Sequence, residues 1–160
     1  MYEFAIDTTA PKHELYREML RSADALTAGE PDTVANMANI AALLWEYMPD
    51  VNWTGFYRAI DGELVLGPFQ GKAACIRINF GEGVCGVAAA SGETQLVRDV
   101  HAFPGHIACD ANSASELVVP VKRDGQVIAV IDLDSPSLSR FDGDDVAGIE
   151  ALALMLADRI

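Results

Sequence analysis

Two Asp-Gly pairs, each lying between apolar segments of strand character, constrain the fold of this chain more than any other feature. The pairs are Asp61-Gly62, between Asn52–Ile60 and Glu63–Leu66, and Asp124-Gly125, between Glu116–Val121 and Val127–Asp132. An Asp-Gly pair favours a type I′ turn, whose twist lets the two flanking strands pair antiparallel. The sequence therefore predicts two β-hairpins, and so an antiparallel sheet.

Three longer segments have helical periodicity. Apolar residues recur at helical spacing in Lys12–Ala28, in Asp32–Met48 and from about Asp142 to Ile160. The second segment presents one apolar face, made of Val34, Met37, Ala38, Ala41, Leu44, Trp45 and Met48. Gly29 is placed to end the first helix, and Asp32 to cap the second. We expect these helices to cover the sheet.

Shorter elements fill the region between the hairpins. The sequence indicates a loop at Pro68–Lys72, a strand at Cys75–Ile78, a short helix at Val84–Ala90 and a strand at Thr94–Val97. Gly81, Gly83 and Gly86 spell the dinucleotide fingerprint G-x-G-x-x-G. Because antiparallel strands precede this motif and no parallel βαβ unit follows, we expect the glycines to serve turns and close packing instead.

Length and charge limit the classes of protein to consider. A chain of 160 residues, 51% hydrophobic, is expected to form one domain over residues 1–160, with residues 1–30 as an N-terminal extension and helix. The net charge of −13 disfavours binding to nucleic acid or to acidic membranes. The N-terminus has no signal-peptide pattern and no apolar run reaches about 20 residues, so we expect a cytoplasmic protein.

Three cysteines, Cys75, Cys85 and Cys109, are candidates for thiol chemistry. An odd number in a chain without a secretion signal argues against a static disulfide framework, and their spacing lacks the close pairs of a zinc site. Cys85 lies among apolar residues and is expected to be packed and inert. Cys109 lies in the polar segment 101–115, where exposure and nearby His106 favour a reactive thiolate.

Carboxylates and aromatic residues mark a second candidate site. Asp132 and Asp134 share one face at the end of a predicted strand, and Glu116 begins the strand paired with it, so the three acids are expected to converge. Like charges in a half-buried site raise at least one pKa. On another strand, Trp53 and Tyr57 flank Gly55 on one face, which predicts an aromatic pocket that opens over the glycine.

Four motifs, in this order, resemble those of a GAF domain: NWTGFY, GEGVCG followed by an LVRDV strand, SELVVPV and VIAVIDLDS. With Cys75, Cys85, Cys109 and the three acids, the chain more narrowly resembles the free methionine-(R)-sulfoxide reductases. The resemblance runs from the first helix to the last. It implies an α+β fold in which helices pack against a six-stranded antiparallel sheet.

The resemblance also implies an activity and the residues that perform it. Cys109 would be the nucleophile that reduces free methionine (R)-sulfoxide, and Cys75 the resolving thiol, with Cys85 as an alternative. Glu116, Asp132 and Asp134 would hold the ammonium and sulfoxide groups, while Trp53 and Tyr57 would surround the methyl end. The enzyme would need no metal or organic cofactor. Thioredoxin would reduce the resulting disulfide, and the implied role is in oxidative stress.

Two matters stay open at the level of the sequence. A GAF domain that binds a small molecule or senses redox state without catalysis is the alternative function, because most GAF domains bind ligands. Such a sensor usually needs an output domain, for which this chain has no room. The protein could also form a homodimer, which the sequence does not decide.

Overall fold

The structure is a computed structural model that describes residues 4, 6–7, 9–105 and 112–160. Its helices are α1 (Lys12–Thr27), α2 (Thr33–Tyr47), α3 (Gly83–Ser91) and α4 (Gly143–Leu156). Its strands are β1 (Trp53–Ile60), β2 (Glu63–Gly71), β3 (Arg77–Asn79), β4 (Gln95–Val97), β5 (Ser115–Arg123) and β6 (Gln126–Ser135). A short 3₁₀ helix, Val100–Ala102, follows β4.

The six strands form one antiparallel sheet in the order β3-β2-β1-β6-β5-β4. Both predicted hairpins are present. Asp61 and Gly62 have φ of 51° and 86°, and Asp124 and Gly125 have φ of 51° and 78°, as a type I′ turn requires. The predicted six-stranded sheet is confirmed.

The three long helices begin where the sequence predicts. Asp32 accepts a hydrogen bond from the Ala35 amide at 2.8 Å, and Asp142 caps α4 in a capping box with Asp145. Two details of the prediction are wrong. α4 ends four residues early, at Leu156, and Val34 and Trp45 of α2 are 51% and 41% exposed.

The exposure of Val34 and Trp45 follows from the width of the buried stripe on α2. Met37, Ala41 and Leu44 lie on this stripe and are buried. Trp45 lies one residue, about 100°, further around the helix than Leu44, which takes its ring outside the stripe. Val34 is in the first turn of the helix. None of the helices in the described part of the chain is long and apolar enough to cross a membrane.

The predicted loop at Pro68–Lys72 is instead mostly strand, because β2 continues to Gly71. Gly55 pairs with Phe69 and Tyr57 pairs with Leu66, so two residues of β2 lie opposite Phe56. This bulge accommodates Pro68, which cannot donate a ladder hydrogen bond. β3 begins at Arg77, two residues later than predicted, and leaves Cys75 in the segment before it.

The two faces of the sheet have separate cores. Helices α1, α2 and α4 pack on one face against residues such as Phe56, Leu117 and Leu133. Helix α3 packs on the other face, with Trp53, Tyr57, Val118 and Val130. Since side chains alternate along a strand, Glu116, Asp132 and Asp134 all belong to the α3 face. The fold therefore directs the three acids toward α3.

The glycine motif at the start of α3 serves packing, as expected. The Gly81 amide donates to the Gly86 carbonyl at 2.7 Å. A Cβ added to Gly86 would lie 2.3 Å from the Asn79 carbonyl oxygen, so only glycine allows α3 to approach β3 this closely. The motif thus positions α3 and the cysteine that it carries.

Candidate active site

The hairpin register brings the three carboxylates together at one end of β5 and β6. Glu116 lies directly opposite Asp134, and Asp132 lies two residues further along the same face of β6. On the other side of β6, Asp132 pairs with Gly55 and Asp134 with Trp53 of β1. The acids therefore lie next to Trp53 and Gly55 of β1, on the face of the sheet that α3 covers. The alternation of side chains predicts this face.

Cys85 of α3 joins this group, which its apolar neighbours in the sequence did not indicate. Its thiol lies 4.0 Å from Glu116 Oε1, a long contact with the thiol as donor. The Cys85 sulfur, one carboxyl oxygen of Glu116 and one of Asp132 all lie within 4.8 Å of one another. The three residues are only 4%, 6% and 6% exposed. Cys85 is packed, as predicted, but against carboxyl groups as well as apolar side chains.

Burial raises the pKa of each of these groups. The pKa of Glu116 lies well above its usual value, first because of desolvation and then because Asp132 and Asp134 repel a further negative charge. Burial also raises the pKa of Asp132 to about 7. The pKa of Cys85 is raised by burial and by the neighbouring carboxyl groups. The cluster therefore retains protons at neutral pH.

The same three residues offer the geometry, but not the charge, of a metal site. A thiol and two carboxyl groups within 4.8 Å of one another could in principle hold an ion. Metal ligands must be deprotonated, and the raised pKa values of all three groups oppose this. The arrangement is better suited to holding and donating protons.

One oxygen of the cluster lacks a partner. Asp132 Oδ1 is buried and has no hydrogen-bond partner among the described residues. A buried acceptor left unsatisfied costs about 1–3 kcal/mol. Asp132 lines a small pocket together with Asp134, Trp53, Tyr57, Lys72, Ala73 and Ala74. A cationic donor bound in this pocket would satisfy the oxygen.

The aromatic wall of the pocket is present, but the space over Gly55 is occupied. The Trp53 ring stacks on Tyr57 at 5.9 Å and on Phe69 at 5.2 Å between centroids. A Cβ on Gly55 would lie 2.4 Å from Phe69 Cβ and 2.7 Å from Trp53 Cη2. The prediction of a ligand space over Gly55 is therefore wrong, because the glycine admits these side chains. The pocket lies beside them, at Asp132 and Asp134.

The two aromatic residues also hold the segment that carries Cys75. Trp53 Nε1 donates to the Lys72 carbonyl, and the Tyr57 hydroxyl donates to the Cys75 carbonyl, each at 3.0 Å. The sequence pattern did not indicate this role, although the polar ends of buried Trp and Tyr rings usually find a partner. The contacts fix the backbone of half-buried Cys75 at the edge of the pocket.

Cys109 and His106 lie outside the described residues, so the predicted nucleophile stays a prediction. The chain on either side of residues 106–111 is described. The Val100 amide donates to the Ala114 carbonyl at 3.0 Å, and the Ala114 amide donates to Ser135 at 2.7 Å. These bonds join the chain on both sides of the segment to the end of β5 at which Glu116 lies.

Comparisons with known proteins define the class first. The chain matches the family described as GAF domain over residues 35–158. The antiparallel sheet with α3 on one face and three helices on the other is thus a GAF fold. A crystal structure of free methionine-R-sulfoxide reductase from Neisseria meningitidis, in complex with its substrate, has a TM-score of 0.93 and 47% identity, and the match covers 99% of this chain and 95% of that one.

Two curated relatives narrow the class. Free methionine-R-sulfoxide reductase of Escherichia coli is 50% identical over 91% of this chain and 88% of its own length. The Saccharomyces cerevisiae protein of the same name is 43% identical over 91% of this chain and 85% of its own. The chain therefore belongs to the free methionine-R-sulfoxide reductase family. This confirms the family that the sequence resembles.

Proposed function

We propose that this protein reduces free methionine (R)-sulfoxide to methionine. The observation that carries the proposal is the buried cluster of Glu116 and Asp132, with Asp134 beside it, at a pocket bounded by Trp53 and Tyr57. A cluster of this kind recognises a positive charge and supplies a proton. Both are needed by the zwitterionic sulfoxide that gives the relatives their name.

In this proposal the carboxyl groups have different tasks. Asp132 and Asp134 line the pocket and bind the α-ammonium, which satisfies Asp132 Oδ1. Glu116, whose pKa is raised by burial and by both neighbouring acids, holds a proton. It donates this proton to the sulfoxide oxygen as general acid, because an unprotonated sulfoxide oxygen is a poor leaving group.

Cys109 is the proposed nucleophile. Its thiolate attacks the sulfoxide sulfur while Glu116 protonates the oxygen, and the oxygen passes to the cysteine. Methionine leaves with the two electrons that the thiol has lost, and Cys109 becomes a sulfenic acid. The thiol of Cys75 then attacks this sulfenic acid, water departs, and a disulfide remains. Thioredoxin, a dithiol, reduces the disulfide to two thiols.

Exposure favours Cys75 over Cys85 as the resolving thiol. Cys85 is 4% exposed and its raised pKa lowers the fraction of thiolate. Cys75 is half-buried and lies in a segment before β3 that reaches the surface. Cys85 remains the alternative partner, and the closeness of its thiol to Glu116 is consistent with a role in holding the proton.

The decisive experiment incubates pure protein with racemic free methionine sulfoxide and dithiothreitol, and follows each epimer by chiral chromatography. We expect loss of the R epimer only, with equal formation of methionine. N-acetylmethionine sulfoxide, which lacks the ammonium, is the matched control compound and should react far more slowly. If neither epimer of the free amino acid is consumed, the proposed function is wrong.

Cysteine variants test the assigned roles under the same conditions. Cys109→Ser should abolish turnover with either reductant, since the thiol proposed to take the oxygen is gone. Cys75→Ser should retain much of the turnover with dithiothreitol, which reduces the sulfenic acid directly, and lose it with thioredoxin. Full activity of Cys109→Ser would show that another cysteine is the nucleophile.

A further inference from the structure

The residue next to the proposed resolving thiol is an exposed apolar side chain. Ile76 follows Cys75 and is 71% exposed. Resting on the proposed function, we propose that Ile76 and the segment 63–82 around it, which has no net charge, form the docking site of a negatively charged protein dithiol, which attacks Cys75. The thioredoxin-type partner would thus bind at Ile76 and transfer its electrons through Cys75.

The position of Ile76 distinguishes it from other exposed apolar residues. Leu154 on α4 is more exposed, at 80%, but it lies on the opposite layer of the sheet. Ile76 immediately precedes β3, which is the edge strand at one side of the sheet in the described structure. Access to Cys75 from this edge is therefore not blocked by a further strand.

The backbone on both sides of the Cys75–Ile76 peptide bond is fixed. The Ile76 carbonyl accepts from the Leu66 amide at 2.9 Å, and the Cys75 carbonyl accepts from Tyr57 at 3.0 Å. A side chain held outward by a fixed backbone loses little conformational entropy when a partner covers it. Ile76 thus has the properties of an apolar anchor for a partner with an apolar surface around its dithiol.

Charge supports an acidic partner. The chain has 24 acidic and 11 basic residues, yet in residues 63–82 the two acids, Glu63 and Glu82, are balanced by Lys72 and Arg77. Arg77 contacts Glu63, but its side chain is still 59% exposed. An acidic protein would be repelled by most of this molecule, and this segment, which has no net charge, repels it less.

The electron transfer is an ordinary thiol–disulfide exchange. A thiolate of the partner attacks Cys75 Sγ in the enzyme disulfide, forms a mixed disulfide and releases the other enzyme cysteine as a thiolate. The partner's second thiol then attacks its own sulfur in the mixed disulfide and releases Cys75. The partner is oxidised to a disulfide, and the enzyme gains two electrons and two protons.

The test compares Ile76→Glu with Leu154→Glu, a matched apolar-to-acid change on α4. Each variant and the wild type are assayed with dithiothreitol and with thioredoxin, thioredoxin reductase and NADPH. We expect Ile76→Glu to lower kcat/KM for thioredoxin about tenfold or more, as loss of an apolar anchor does. Turnover with dithiothreitol should not change, and Leu154→Glu should match the wild type in both assays. Ile76→Ser, checked by circular dichroism, should show a smaller loss of the same kind.

The outcomes separate this inference from the function on which it rests. An unchanged kcat/KM for thioredoxin in Ile76→Glu, or an equal loss with both reductants, would overturn the docking site. If the wild type turned over with dithiothreitol but not with the thioredoxin system, the docking site would also be overturned, while the reductase proposal would stand. No turnover with either reductant would overturn both. As a direct readout, a thioredoxin variant that lacks its second cysteine should be trapped on Cys75, and trapping on Cys85 or Cys109 instead would contradict the inference.

Discussion

The buried carboxyl group of Asp132 should make the free protein less stable as the pH rises. Its pKa of about 7 in the folded state lies above the ordinary value of 3.8. Between these values the folded protein retains a proton that the unfolded chain has lost, so the free energy of unfolding falls with rising pH through this window. Above about pH 7 this contribution becomes constant.

The size of the effect follows from the shift. One pKa unit corresponds to about 1.4 kcal/mol, so Asp132 alone lowers stability by at most about 4 kcal/mol over the whole window, and by about 3 kcal/mol between pH 5 and pH 8. Glu116, whose pKa is raised as well, acts in the same direction. Asp142, whose pKa is lowered to about 2, loses its contribution only on acidification below about pH 4, outside this range.

Asp132→Asn provides the measurement. The amide cannot ionise in the folded or the unfolded state. The free energy of unfolding of the variant, relative to the wild type, should therefore rise by about 3 kcal/mol from pH 5 to pH 8. Urea unfolding at several pH values, without substrate and with a phosphine reductant, gives the free energies. Asp124→Asn, in an exposed hairpin turn, is the matched control and should follow the wild type. Parallel curves for wild type and Asp132→Asn would refute the reasoning.

Three further variants have expected outcomes. Glu116→Gln should lower kcat at least tenfold, because the amide cannot donate the proton in general acid catalysis, and an unchanged kcat would remove Glu116 from that role. Cys85→Ala should retain thioredoxin-supported turnover if Cys75 is the resolving cysteine. If mass spectrometry showed that this variant no longer forms the disulfide, Cys85 would be the resolving cysteine instead. Gly148→Ala should lower the free energy of unfolding by about 1–3 kcal/mol or more, because its Cβ would lie 2.2 Å from the Tyr16 ring, and chemical denaturation measures this.

Local chemistry made the hairpins and the carboxylate face predictable. The Asp-Gly pairs at 61–62 and 124–125 specify a turn by themselves. Once β5 and β6 pair through the second turn, the period of two places Glu116, Asp132 and Asp134 on one face. No long-range information is needed for these steps, so the sequence alone was sufficient.

The contacts of Cys85 and Gly55 required the tertiary structure. Apolar neighbours correctly indicated that Cys85 is buried, but its distance from Glu116 depends on how α3 packs on β5. Gly55 was predicted to leave room for a ligand, whereas Trp53 and Phe69 fill that room. A glycine in a strand indicates a close approach, but it does not identify which group approaches.

The burial of the carboxyl groups connects the chemistry of the site to its choice of substrate. Burial disfavours the charge of Asp132 and Glu116 and shifts both groups toward their protonated forms. An α-ammonium beside Asp132 and Asp134 would favour ionisation there and lower the pKa of the group that it contacts. Glu116, which does not bind the ammonium in the proposed arrangement, would keep its proton for the sulfoxide oxygen. A peptide-bound methionine sulfoxide has a neutral amide in place of the ammonium, and the amide cannot ionise one acid while the other stays protonated. The requirement for a free amino acid would therefore follow from the protonation states of the acids as well as from the size of the pocket.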